Sequence, residues 1–326
     1  MSNYSSPFWL PGGHLQTIIP AKLIKNEVLN LDRERWDTPD GDFIDVDFLK
    51  GGPLKPFVVI FHGLEGSSKS HYSTSMLKLL SKLGWSAAIP HFRGCSGEMN
   101  LAPRFYHSGD TAEINWILYK MKNLELVKSS SNFFSIGFSM GGNVLLKWLG
   151  EFSEDSLFID AACSISAPLD LAAGGAALSK GINMMYTHFF LKTLKPKSLE
   201  KLILFPNLFD KELMLSSKNL YEFDNIVTAP LHGYKNTDDY WHRASSKYFL
   251  NNIKIPTLVL NARNDPFLPS WHLPKIASDS VILEYPAHGG HVGFIKGKIG
   301  DLTNWLPNRL IHFLLNQENL KEKRNL

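Results

Sequence analysis

The residues of this chain best suited to chemistry lie in Gly137-Phe138-Ser139-Met140-Gly141. An apolar run of strand length and composition, Phe133 to Phe138, precedes the serine. Val144, Leu145, Trp148 and Leu149 follow it at helical spacing, with no proline to stop a helix. A strand that turns at once into a helix crowds the Cβ atoms beside the turn, and Gly137 and Gly141 supply the missing room. Ser139 is then expected in a strained backbone conformation, its hydroxyl pushed out of the chain. The chemistry would be nucleophilic attack. A serine hydroxyl is a poor nucleophile at neutral pH, so it needs a base, and the base needs an orienting carboxylate.

Partners for Ser139 are sought just past the ends of later strands, where such groups converge. Asp265 follows a strand that ends at Asn261 and is the expected acid. Its alternative is a turn aspartate ahead of Pro266. Asp279 precedes a strand and is the weaker candidate. Past the last strand, Pro286-Ala-His288-Gly-Gly-His291-Val-Gly-Phe294 carries two histidines. His291, framed by Gly290 and Gly293, is the expected base; His288 competes with it and is otherwise a supporting group. The backbone N–H of Met140, at a helix N-terminus, is one expected oxyanion donor. The loop His62-Gly63-Leu64-Glu65-Gly66 should supply the other, at Leu64, with His62 beside it. Elsewhere, Arg93 and Glu98 are expected to pair and hold their loop, and His14 to fix the N-terminal segment by hydrogen bonds. Nothing around Cys95 resembles a Cys/His site.

The elements that must position these groups alternate. Short apolar runs at 56–61, 85–90, 133–138, 158–166, 255–261 and 280–285 read as buried strands. Helical patterns at 72–83, 111–124 and after Ser139 lie between the earlier ones. This order predicts a doubly wound, mostly parallel sheet. Ahead of it, two β-segments flank the turn at 37–42, and the second, 43–49, alternates like a half-exposed strand. Between 168 and 252 the rhythm stops. That stretch is too long and too apolar for a loop, and a helical cap inserted over the sheet fits it. Residues 182–194 read as one helix and 199–205 as a second, shorter one. The basic, amphipathic look of 180–205 also allows contact with a membrane surface. The expected organisation is an arm at 1–26, a core at 27–167 and 253–326, and a cap at 168–252. The arm's prolines and glycines argue against a long helix there. Residues 302–316 close the chain as a helix, with Pro307 suggesting a start near Leu306, and the charged tail is expected to fray.

The 326 residues are 44% hydrophobic and 20% charged, an ordinary globular composition. A net charge of +3 is too mild to argue for nucleic acid. Two cysteines suggest neither a disulfide framework nor a metal site. The first residues lack the pattern of a signal peptide, and no apolar run approaches membrane-spanning length, so a cytoplasmic protein with no stable membrane anchor is expected.

Together these blocks resemble the α/β-hydrolase fold and, more narrowly, the YheT-like family of esterases. The resemblance spans nearly the whole chain. It is carried by Pro11-Gly-Gly-His-Leu-Gln-Thr17, His62-Gly-Leu-Glu-Gly66, Phe92-Arg-Gly-Cys-Ser-Gly-Glu98, Tyr106-His-Ser-Gly-Asp-Thr111 and Gly137-Phe-Ser-Met-Gly-Gly-Asn143. Phe223-Asp-Asn-Ile-Val-Thr-Ala-Pro-Leu-His-Gly233, Asn264-Asp-Pro-Phe267 and Gly289-Gly-His-Val-Gly-Phe294 complete it. The resemblance implies a charge-relay triad of Ser139, Asp265 and His291 and hydrolysis of carboxylic esters, with no metal or organic cofactor. The expected substrate is a small ester with an apolar, short- to medium-chain acyl group. Some fungal relatives resemble acyl-CoA:alcohol acyltransferases, so acyl transfer, or thioester cleavage, by the same triad is an alternative. A non-catalytic lipid- or partner-binding protein of the same fold is a second.

Overall fold

The structure, a computed structural model, describes residues 4–24, 29–298 and 301–324. The ends of the expected arm, residues 1–3 and 25–26, lie outside the described residues.

A hairpin of β1 (Asp32–Asp37) and β2 (Phe43–Leu49) starts the sheet. It continues through β3 (Phe57–Phe61), β4 (Ser86–Pro90), β5 (Phe133–Phe138), β6 (Ala161–Ile165), β7 (Thr257–Leu260) and β8 (Val281–Glu284). Spatial order is β1-β2-β4-β3-β5-β6-β7-β8, antiparallel at the first two pairings and parallel from β4 to β8. A small separate hairpin, β9 (Ile295–Lys298) with β10 (Asp301–Asn304), follows.

The helices follow the strands. α1 (Gly12–Leu23) opens the chain, α2 (His71–Leu83) follows β3, α3 (Thr111–Lys122) and the short α4 (Glu125–Lys128) follow β4, and α5 (Met140–Phe152) follows β5. Between β6 and β7 come α6 (Leu171–Leu178), α7 (Met184–Leu204), α8 (Lys211–Ser216), α9 (Leu220–Phe223), α10 (Ala229–Leu231) and α11 (Thr237–Ala244). A π-helical turn, Asp224–Thr228, joins α9 to α10. α12 (Trp305–Arg324) closes the chain.

The central strands are apolar on both faces because both are covered. Ile114, Ile117 and Leu118 of α3 and Val144, Leu145 and Trp148 of α5 pack on one face. Met76, Leu77 and Leu80 of α2 and Leu306, Leu310 and Phe313 of α12 pack on the other. The fold is therefore the expected α/β-hydrolase architecture, with its sheet mostly parallel and flanked by helices.

Four local expectations are corrected. The arm does contain a helix, α1, despite Pro11 and Pro20. Pro11 stands ahead of the first turn, whose N–H groups have no helical acceptors in any case, and Gln16 and Thr17 anchor α1 to the body. The stretch 182–205 holds one helix through Pro196, not two. An interior proline costs about 3 kcal/mol, and tertiary anchors offset it here: Lys197 meets Glu65 at 2.9 Å and Lys201 donates to Asn100 and Ala102. The strand 43–49 is buried throughout, because Arg35 and Arg33 reach across the hairpin to Asp45 and Asp47. Arg93 does not pair with Glu98. It is buried against Asp42 and Glu113 and also reaches Asp40, while Glu98 takes Arg35.

Candidate active site

The site grows out of the turn between β5 and α5. Ser139 has φ 52° and ψ −121°, a conformation that a side chain with a Cβ rarely adopts. Its neighbours explain how the turn closes. A Cβ on Gly141 would lie 2.4 Å from the carbonyl oxygens of both Phe61 and His62, and one on Gly137 would lie 2.5 Å from the Gly141 oxygen. Only glycines let β3, β5 and α5 approach this closely.

Three side chains from three loops meet here. His291 Nε2 lies 2.9 Å from Ser139 Oγ, and its Nδ1 lies 2.9 Å from Asp265 Oδ2. The other Asp265 oxygen accepts the Phe267 N–H at 2.8 Å, which fixes the carboxylate's rotation. The Phe267 ring stacks on His291 with centroids 3.9 Å apart and planes 12° from parallel, so the imidazole is held in its plane as well as at both nitrogens. The Asp265 carboxylate is almost wholly buried, where its attraction for an imidazolium is weakly screened.

The turn after β3 faces the serine. Most of its N–H groups are already engaged: Gly63 donates to the Tyr72 hydroxyl, Glu65 to the Tyr106 hydroxyl and Gly66 to the Gly63 carbonyl. Leu64 and Met140 both line the cavity beside Ser139. His62 is fully buried behind this turn. Its Nδ1–H donates to the Gly63 carbonyl at 2.8 Å and its Nε2 accepts the Phe92 N–H. Burial lowers its pKa to about 3, so the ring stays neutral and acts as a fixed brace. His288 is exposed.

Sequence reasoning missed what holds the loops of Asp265 and His291 in register. Gln16 of α1, itself buried, accepts from the Gly289 N–H and the Asn264 amide through one oxygen, and donates to the Leu10 carbonyl. Thr17 accepts the His291 N–H at 2.9 Å. Asn264 in turn accepts the Gly290 N–H. A Cβ on Gly13 would fall 1.8 Å from the Asn264 carbonyl oxygen, so α1 lies directly on the loop of Asp265. The polar Gln16-Thr17 pair among apolar neighbours was the available signal. His14 bonds the Tyr186 hydroxyl of α7 at 3.2 Å, which ties α1 to the helices inserted between β6 and β7.

Over Ser139 lies a cavity of about 1050 Å³, counting its open mouth. Leu178, Phe190, Leu194, Leu220, Phe223 and Phe267 give it a mainly apolar wall. The Lys197–Glu65 pair stands at its edge, and the Tyr106 hydroxyl also donates to Glu65. Cys95 lies 3.9 Å from Lys197, but burial pushes its thiol up to about 12, which leaves it a poor nucleophile. Among the described residues, no helix is long and apolar enough to cross a membrane.

Residues 56–298 match a family model described as the alpha/beta hydrolase fold. "Putative esterase YheT" of Escherichia coli (strain K12) is 36% identical over 92% of this chain and 89% of its own length. The monoacylglycerol lipase of Saccharomyces cerevisiae (strain ATCC 204508 / S288c) is 30% identical over 82% of this chain and 60% of its own length. In structure, the Pyrococcus furiosus esterase Pf2001 superposes with a TM-score of 0.58 over 88% of this chain and 90% of that one; at 16% identity this likeness speaks for the fold alone. Sequence, strand order and family match agree: this chain belongs to the α/β-hydrolase fold family, is YheT-like within it, and is a hydrolase.

Proposed function

We propose that this protein cleaves carboxylic esters with Ser139 as nucleophile, His291 as general base and then acid, and Asp265 as the group that orients His291. The observation that carries the reading is the pair of 2.9 Å contacts that put one imidazole between the serine hydroxyl and a buried carboxylate. With Nδ1–H donating to Asp265, Nε2 is free to take the hydroxyl proton as Ser139 Oγ bonds to the ester carbonyl carbon. The carbonyl oxygen becomes an oxyanion, received by the N–H groups of Leu64 and Met140. The His291 imidazolium, stabilised by Asp265, returns the proton to the departing alcohol. Water then repeats the sequence on the acyl-enzyme and releases the acid.

In this reading residues 168–252 act as a cap on a core of 27–167 and 253–326, and α1 of the 1–26 arm serves as a brace for both catalytic loops. The apolar wall favours an ester with an apolar acyl chain of short to medium length. A fluorophosphonate probe tests the nucleophile. The wild type is expected to be labelled and Ser139→Ala to remain unlabelled; labelling that survives Ser139→Ala overturns the assignment. Turnover of a matched series of p-nitrophenyl esters then tests the acyl preference.

A further inference from the structure

The cavity is not apolar all round. His107, Ser108, Asp224, Thr228, Tyr240 and Trp241 also line it. Asp224 is the unusual member. One carboxylate oxygen accepts the Thr228 hydroxyl at 2.6 Å and the other accepts the Trp241 indole N–H at 2.8 Å. Both donors are neutral, and among the described residues no ion pair reaches Asp224. A carboxylate has about four acceptor sites, so two neutral donors leave it half satisfied. Partial burial in the cavity wall, with no cation beside it, raises its pKa to about 6.

The backbone points the same way. Asp224 opens the π-helical turn Asp224–Thr228, a local irregularity that is frequent at functional sites and costs regular hydrogen bonding. The turn brings Asp224 and Thr228 to one side, where their side chains bond each other. Nearby, the Tyr240 hydroxyl is engaged by the Ser108 N–H at 2.9 Å, so this wall is ordered on both sides of the carboxylate. Each oxygen thus has one donor, and among the described residues no second protein donor reaches either, which leaves acceptor sites on both. Here they belong to a residue on the wall of the substrate cavity.

We propose that Asp224 is a specificity-determining residue: it accepts a hydrogen bond from a hydroxyl or ammonium group carried by the ester at a distance from the scissile bond. The apolar wall then holds the intervening chain, while Asp224, flanked by Thr228 and Trp241, reads its polar end. A site built to bond a donor discriminates against the analogue that lacks it, because the unpaired carboxylate is left facing apolar substrate. The inference rests on the ester-cleavage reading of the same cavity and goes further by naming the substrate's second polar group.

The test compares methyl ω-hydroxyalkanoates and methyl ω-aminoalkanoates with methyl alkanoates of the same chain length, over a series of lengths. At the length that fits, kcat/KM for a donor-bearing ester should exceed that of its plain partner by about tenfold or more, the worth of one hydrogen bond to a charged acceptor. The ratio is read within one protein, so a general loss of activity cancels. Asp224→Leu should bring both ratios to about one. Asp224→Asn keeps a carbonyl acceptor without the charge, so the amino ratio should collapse and part of the hydroxyl ratio should survive. A preference of the amino ester alone identifies a cationic group as the ligand, and a preference of the hydroxy ester a neutral one; either supports the proposal. Equal rates for all three esters at every length, or ratios unchanged in Asp224→Leu, overturn it while leaving ester cleavage intact. If no ester turns over, the ester-cleavage reading has failed instead. Calorimetric binding of the same ester pairs to Ser139→Ala then decides the Asp224 site directly, with equal affinities overturning it.

Discussion

Gln16→Leu tests whether α1 braces the catalytic loops. The substitution nearly conserves volume and removes three hydrogen bonds at one buried position: Gly289 N–H at 2.8 Å, Asn264 amide at 2.9 Å and Leu10 carbonyl at 2.8 Å. Each buried polar group left without a partner costs about 1–3 kcal/mol. Three such losses amount to roughly 3–9 kcal/mol, towards the lower end here because the Asn264 amide is only partly buried, and the leucine methyl groups return about 1–2 kcal/mol by burial. A net destabilisation of about 3 kcal/mol is expected, which is a large share of a typical domain's stability. Urea denaturation followed by tryptophan fluorescence measures it. The kinetic consequence is separable. Gln16 links the loop of Asp265 to that of His291, so its loss lets the imidazole drift from Ser139, and a misplacement of about 1 Å can cost roughly 100-fold. The fluorophosphonate labelling rate, taken well below the denaturation midpoint, should fall about 10- to 100-fold, with kcat for a small ester falling likewise and KM little changed. A Gln16→Leu protein within about 0.5 kcal/mol of wild type and labelled at the wild-type rate refutes the brace.

Three further outcomes follow from the same geometry. Asp265→Asn would present an amide donor to His291 Nδ1 and favour the wrong tautomer; kcat for ester cleavage should drop roughly 10³–10⁴-fold with the melting temperature nearly kept. Gly141→Ala puts a Cβ 2.4 Å from two carbonyl oxygens of the β3 end, so a loss of about 3 kcal/mol by denaturation and of probe labelling is expected, since the serine turn and the loop after β3 must part. Acid should destabilise the protein through its buried histidines: burial lowers both His62 and His107 to about 3. Their unfolded forms take up protons below about 6.5 while the folded forms do not, so this stability is complete above pH ~6.5 and falls by up to about 1.4 kcal/mol per pH unit for each ring as pH drops towards 4. Asp224, raised to about 6, opposes this over part of the range. Denaturation midpoints at pH 7 and pH 5 measure the sum, and His62→Gln, which can donate and accept without charging, should flatten the dependence.

Much of this design was legible along the chain. Ser139 was marked by its glycines and by the strand and helix on either side, because a turn that tight excludes Cβ atoms wherever it occurs. The parallel strands were marked by unbroken apolar runs, since a strand covered on both faces has no polar side. Asp265 and His291 could be picked because strand ends in such a sheet converge. What was missed depended on distant partners. Prolines in α1 argued against a long helix by local rules and 182–205 read as two helices, yet Gln16, Lys197 and Lys201 hold α1 and the continuous α7 to the body. Arg93 has three carboxylates around it from 40, 42 and 113, none of them the nearby Glu98.

The sequence by itself determined the glycine-framed turn at Ser139, the strand and helix rhythm and the order in which Ser139, Asp265 and His291 arrive, because each of these follows from local sterics or periodicity. Tertiary structure alone decided that α1 holds the loops of Asp265 and His291 in register, that one imidazole sits 2.9 Å from both its partners, and that Asp224 lies on the wall of the cavity above Ser139. Gln16 lies 248 residues from Asn264 along the chain and 273 from Gly289. Only packing can bring such groups together, and their hydrogen-bond energies come from burial that no local pattern encodes.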